Sequence, residues 1–158
     1  MKFIIDGMLG KLTRWLRMLG HNVKYSNATE DKELIRIAKT EGRVLLTRDL
    51  ELYQQATSRD VKAFYVEGAK ESERLANLAK RFKLELEIDV KISRCPRCNT
   101  KIKRVEKNAV KVKIPKNTFL KYEEFWQCPK CAQIYWRGTH WKRINKTLDE
   151  ARKILEKK

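Results

Sequence analysis

The chain has 158 residues, with 37 Lys and Arg against 20 Asp and Glu, for a formal charge of +17. Its 42% hydrophobic share is enough for a core, which excludes wholesale disorder, and no run approaches the about 18 apolar residues of a membrane span. The N-terminus, MKFIIDGMLGKL, has an Asp at position 6 and no long apolar stretch, so it does not read as a secretory signal and the expectation is a cytoplasmic protein.

Lys2–Ile5 reads as a short apolar strand ending at Asp6. Met8–Leu19 follows with Leu9, Leu12, Trp15, Leu16 and Leu19 at helical spacing, and Gly20 ends the helix in the left-handed conformation. Asn22–Ser26 is a weaker strand. Thr29 caps a helix running to about Thr40, which Gly42 stops. In Arg43–Thr47, the run Val44-Leu45-Leu46 predicts a strand buried on both faces. A short helix over Asp49–Ala56, a strand over Val61–Glu67 and a helix over Ser72–Phe82 complete the series; Leu84–Val90 is a fifth strand or an extended linker. Alternating strands and helices predict an α/β domain over about 1–90, its sheet mostly parallel and covered by helices on both faces.

The rest of the chain differs. Residues 1–91 carry a net charge of +4 and residues 92–158 a net +13. Such a field favours polyanions, above all nucleic acid; a merely solubilising surface is the alternative. All four cysteines lie here, as Cys95-x-x-Cys98 and Cys128-x-x-Cys131 with 29 residues between the pairs. Two such knuckles complete a tetrahedral four-sulfur site for a structural Zn²⁺, whereas two disulfides would need tight two-residue loops. Between the knuckles, Val105–Ile114 and Phe119–Trp126 read as strands, with Val110, Val112 and Ile114 alternating with Lys111 and Lys113, and a turn at Pro115-Lys116-Asn117. Gln133–Trp136 closes a zinc ribbon over about 92–143. Trp126, Tyr135, Trp136 and Trp141 stand among cations, Arg137 and His140 included, a mixture suited either to stacking bases or to building a small core. A final helix over 146–157 has Leu148, Ala151, Ile154 and Leu155 on one face and is expected to dock on its own chain.

In a parallel sheet, ligands bind beyond the carboxyl ends of the strands. Asp6 ends the first strand, Asp31 opens the second helix, Asp49 and Glu51 follow the third strand, and Glu67 ends the fourth. Acids gathered in a basic protein repel one another unless cations or protons hold them, and Mg²⁺ or Mn²⁺ with a phosphodiester is the natural occupant. The alternative is that Asp31 and Asp49 merely favour helix N-termini. Lys11, Arg14 and Arg17 form a basic stripe beside Asp6 that can grip a phosphate backbone or simply face water. Gly7-x-x-Gly10-Lys11 lacks the spacing and the hydroxyl residue of a triphosphate-binding loop.

Asp6–Leu12, Trp15–Gly20, Gly42–Asp49, Ser93–Asn99 and Tyr135–Trp141 resemble, block by block, the Mut-seven C-terminal RNase domain family. The resemblance reaches about residue 145. It implies a PIN-like, Rossmann-like core with a zinc ribbon behind it, and metal-dependent hydrolysis of RNA. It further implies that Asp6, Asp31 and Asp49 bind the catalytic metal beside the hydroxyl of Thr47. Glu51 stands where many such sequences have Asp, which leaves Glu67 as a second candidate for the fourth acid. The nucleic-acid contacts expected are Lys11, Arg14, Arg17, Lys111, Lys113, Arg137 and His140. Two other readings are a non-catalytic RNA-binding module associated with tRNA or the ribosome, and an adaptor for an acidic protein; the oligomeric state is not legible.

Overall fold

The structure is a computed structural model that describes residues 1–157. Four parallel strands form a sheet in the order β2-β1-β3-β4: β1 (Lys2–Asp6), β2 (Asn22–Ser26), β3 (Val44–Thr47) and β4 (Ala63–Tyr65). The period of two along β1 decides the two cores. Phe3 and Ile5 face one side, together with Leu46, and Ile4 faces the other, together with Leu45. On the first side lie Leu12 and Leu16 of α1 (Gly10–Met18) and Leu75 and Leu78 of α4 (Glu71–Phe82). On the second lie Leu34, Ile35 and Ala38 of α2 (Asp31–Glu41) and Leu52 and Ala56 of α3 (Leu50–Ser58). All four residues of β3 are buried, as its unbroken apolar run predicts.

Boundaries differ in instructive places. Thr29 does not cap α2; Glu30 occupies the N-cap without a side-chain bond, while Gly42 stops the helix at φ +65°. The first helix opens with a 3₁₀ turn over Gly7–Leu9. The Leu84–Val90 stretch is a linker, its buried Leu84 and Leu86 alternating with exposed Glu85 and Glu87 without a strand partner.

The second sheet is antiparallel, in the order β5-β6-β7: β5 (Lys103–Val105), β6 (Phe125–Gln127) and β7 (Ile134–Tyr135). The strand expected through Val105–Ile114 stops at Val105. A 3₁₀ turn follows over Lys107–Val110, and the helix α5 (Lys116–Lys121) replaces the expected turn at Pro115. Only Val110 of the alternating valines reaches the ribbon core with Phe125 and Ile134; Val112 is 91% exposed. No partner strand lies beside this stretch, so Val112 is left uncovered, while Ile114 packs on the ribbon core from outside any strand.

The last helix, α6 (Thr139–Glu156), starts at Thr139 rather than at Lys146. Leu148 and Ala151 enter the same core as Phe3 and Leu75, with Ile144, Ile154 and Leu155 packed around them, and α6 lies along α4. The ribbon is therefore an insertion between the sheet and a helix that returns to cover it.

Both ends of the insertion are pinned. Gly20, at φ +99°, meets Ile92 so closely that a Cβ would sit 2.9 Å from its Cδ1. The Ser93 hydroxyl donates to the Met18 carbonyl (2.6 Å), and the Arg94 amide to that of Arg17 (2.9 Å). Arg17 is buried. Its Nε and Nη2 donate to the Val23 carbonyl (3.1 and 2.8 Å) and its Nη1 to the Pro96 carbonyl (3.0 Å). Asn99 accepts from the Val23 amide (3.0 Å) and donates to the Asn22 side chain (2.9 Å), covering an amide on the open edge of the sheet.

Arg17→Ala removes the donor from two buried carbonyls and is expected to cost about 2–4 kcal/mol. Urea unfolding checks the magnitude, and protease digestion checks that cleavage in the 84–93 linker accelerates. Arg14→Ala, exposed on the same helix, should stay within about 0.5 kcal/mol.

Candidate active site and metal centre

Register decides the acidic site. Because Ile5 stands opposite Leu46 on neighbouring parallel strands, the next residues, Asp6 and Thr47, meet at the carboxyl edge of the sheet. The Thr47 hydroxyl donates to Asp6 Oδ2 and accepts from the Asp49 amide at 2.9 Å. Asp6 is 7% exposed, and its Oδ1 accepts from the Met8 amide (3.0 Å), so both oxygens of this buried carboxylate are bonded. Asp49 caps α3, its Oδ1 accepting from the amides of Glu51 (3.0 Å) and Leu52 (3.3 Å). Gly7 makes this turn possible: a Cβ there would lie 2.7 Å from Asn27 Cα, so the loops after β1 and β2 lie against each other.

Asp31, in the first turn of α2, is exposed. Its carboxyl is raised above the ordinary carboxylate range, first by partial desolvation and then by repulsion from Asp49, Asp6 and Glu51. Four of the five acids named from the sequence thus share one field. Glu67 is not among the charges that raise Asp31; it is exposed beyond β4, where its carbonyl accepts from Asn77. The acids are close without forming a cage. Among the described residues, the only group of three or more His, Cys, Asp or Glu whose ligand atoms lie within 4.8 Å of one another is the four cysteines. A Mg²⁺ ion keeps several waters and takes one or two carboxylates directly, so a loose set of hard oxygen donors suits it.

The cysteine set is tighter. The Sγ atoms of Cys95 and Cys131 are 3.6 Å apart and those of Cys98 and Cys128 3.3 Å, so the thiols are free. Sulfurs around a tetrahedral ion at about 2.3 Å stand about 3.8 Å from one another, and the four residues fit Zn²⁺ in donor type, number and spacing. The two knuckles repeat each other. The residue after each second Cys is left-handed, Asn99 at φ +72° and Ala132 at φ +65°. Its amide returns to the carbonyl of the first Cys, at 2.8 Å in one knuckle and 3.0 Å in the other. The hydrogen bond with the Thr100 hydroxyl lowers the Cys98 thiol, and burial raises Cys128. Tyr135 touches the Cys95 sulfur at 2.9 Å, and its hydroxyl is raised, first by burial and then by that bond.

The expected nucleic-acid residues are scattered. Lys11 and Arg14 are exposed on α1, and Lys111 and Lys113 are exposed after the 3₁₀ turn of the ribbon. His140 is exposed in the first turn of α6. Arg137 lies between two indoles, 5.2 Å from the Trp126 ring centre and 5.4 Å from that of Trp141. Arg17 corrects the expectation: all its polar contacts are to backbone carbonyls inside the protein, so it serves docking and does not grip phosphate. Its companion Asn99 went unnoticed in the sequence. The signal was its place directly after a knuckle Cys, where Asn tolerates the left-handed conformation better than most residues.

Two outcomes are expected. Reduced protein should carry one Zn²⁺ per chain by elemental analysis, and Cys95→Ser should lose it. At pH 7, Asp31→Asn should raise the melting temperature by about 1 °C or less, since solvent at this exposed position screens the repulsion it removes to at most a few tenths of a kcal/mol. A raised carboxyl pKa means that the penalty is complete above the folded pKa and relieved as pH falls through it. The difference between wild type and variant should therefore vanish at pH 3 in calorimetry.

No curated protein and no solved structure matches the chain. A family model, that of the Mut7-C RNAse domain, matches residues 1–148. Strand order, the carboxyl-edge acids and the paired knuckles all lie inside that span, and the chain belongs to the Mut7-C RNAse domain family.

Proposed function

We propose that this chain is a PIN-like ribonuclease that hydrolyses RNA phosphodiester bonds with Mg²⁺ or Mn²⁺ at Asp6, Asp31, Asp49 and Glu51. The observation that carries the reading is the bonded series Asp6–Thr47–Asp49, with Asp31 and Glu51 in the same field. Family membership supports the ribonuclease class.

When bound, the metal lowers the pKa of its water and stabilises charge on the scissile phosphate and the leaving oxygen. Thr47 holds Asp6 through its hydroxyl and fixes Asp49 through the amide it accepts, so the two strand-end carboxylates keep their places while a cation comes and goes. The amides of Glu51 and Leu52 occupy one Asp49 oxygen and leave the other for a ligand. Asp31 and Glu51, both exposed, complete the negative field that attracts the cation. Lys11 and Arg14 neutralise phosphates that the carboxylates would otherwise repel. The spread of the acids favours a second reading, an RNA-binding module without catalysis.

Asp6→Asn and Asp49→Asn discriminate between the two. Asn preserves the helix caps, so fold and zinc content should be retained. Cleavage of mixed structured and single-stranded RNA in Mn²⁺ should fall roughly 100-fold or more, because metal assistance contributes several kcal/mol. Unchanged cleavage would remove these residues from the mechanism, and an inactive wild type would favour the binding module. In salt titrations, Lys111→Ala with Lys113→Ala should reduce the slope of log affinity against log salt by about 2 if both contact phosphate.

A further inference from the structure

A cleft lies at the other end of α1 from the acids. It has a volume of about 570 Å³ and is walled by the ribbon, by the start of α6, and by Met18 and Ile88 of the α/β part. That volume is in the usual range of ligand clefts, about 300–1,000 Å³. Three tryptophans line it, Trp126, Trp136 and Trp141, and no acidic residue does. Its cations Arg94, Lys121 and Arg137 have no carboxylate partner among the described residues. Arg94 gives Nη1 to the Asn99 carbonyl and leaves its buried Nε without a partner.

Arg137 is the organising group. Its guanidinium carbon lies over both Trp126 and Trp141, and with no hydrogen-bond partner among the described residues its N–H donors are open to an anion. Trp126 is buried and serves the ribbon, whereas Trp141 is only half-buried. Aromatic faces with unneutralised cations beside them match a planar base attached to a phosphate. A duplex hides its base faces in the stack and offers phosphate alone.

We propose that this cleft binds unpaired nucleobases of a single-stranded RNA, stacked on Trp141 and held at the phosphate by Arg137. The proposal rests on the RNA reading above and adds to it that the protein selects an unpaired strand. Met18 lines the cleft at one end of α1, and Asp6 stands one 3₁₀ turn before the other. Nine helical residues span about 13 Å at 1.5 Å each. Lys11 and Arg14 lie exposed along that span, so a strand can be held in the cleft while a phosphate several nucleotides away lies at the acids.

The test uses the zinc-loaded full chain without added Mg²⁺ or Mn²⁺. Binding of a labelled unstructured oligoribonucleotide, of the same strand annealed to its complement, and of inorganic polyphosphate is measured by anisotropy or competition over one matched series of salt concentrations. Wild type should prefer the unpaired strand. Trp141→Ala should weaken that binding at least about fivefold, leaving duplex and polyphosphate within about twofold and the salt slope unchanged. Trp141→Phe should restore most of the loss. Arg137→Lys, at an exposed position, keeps the charge without the planar stack and should reduce the preference in the same way. An equal loss for all three probes, no loss in either variant, or no preference in wild type would overturn the proposal. Cleavage by the aspartate variants is scored separately, so the cleft and the catalytic site stand or fall apart.

Discussion

Arg17 carries the architecture. A buried guanidinium is stable only where its donors are satisfied and its charge is balanced. Here the donors meet Val23 on the sheet edge and Pro96 in the first knuckle, while the charges of Cys98 and Cys95 oppose the lowering of its pKa by burial. Four thiolates around a divalent cation would keep a net negative charge, so a metal held by these cysteines and Arg17 would stabilise each other. One side chain thus joins α1, the open edge of the sheet and the ribbon.

That junction orients the rest. The chain leaves the α/β part through the linker after α4, builds the ribbon against the ends of α1 and β2, and returns as α6 to cover α4. Without α6, the side of the sheet that holds Phe3, Ile5 and Leu46 would lose Leu148 and Ala151 from its cover. Folding of the two parts is therefore coupled, although each has its own hydrophobic cluster. The helix α1 separates two chemically opposite ends, carboxylates before its first turn and the aromatic, cationic cleft beyond its last.

The acidic end works against stability. Asp31 is raised first by partial desolvation and then by its acidic neighbours, so the fold holds like charges near one another that protonation or a bound cation relaxes. Thr47 limits the cost by tying Asp6 to the amide of Asp49, and Asp49 recovers part of it by capping α3. Capping uses only one oxygen of Asp49, which leaves the other open for the proposed ligand role.

The short apolar runs of β1 and β3 and the helical stripes of α1 and α4 determined an α/β sheet, because each pattern records which faces meet a core. The spacing of Cys95, Cys98, Cys128 and Cys131 determined a four-sulfur site, since ligand geometry is local to each knuckle. Asp6, Asp31 and Asp49 were legible as strand-end and helix-start residues, but only the pairing of β1 with β3 put Thr47 between Asp6 and Asp49. Tertiary structure alone decided the remainder. Val110, Val112 and Ile114 alternate like a strand, yet strands need partners and none lies beside them. Arg17 looked like one cation of a solvent-facing stripe because its acceptors, Val23 and Pro96, are remote or irregular in sequence. The return of α6 onto α4 decided that the ribbon is inserted rather than appended, because periodicity marks an apolar face without naming the surface that buries it.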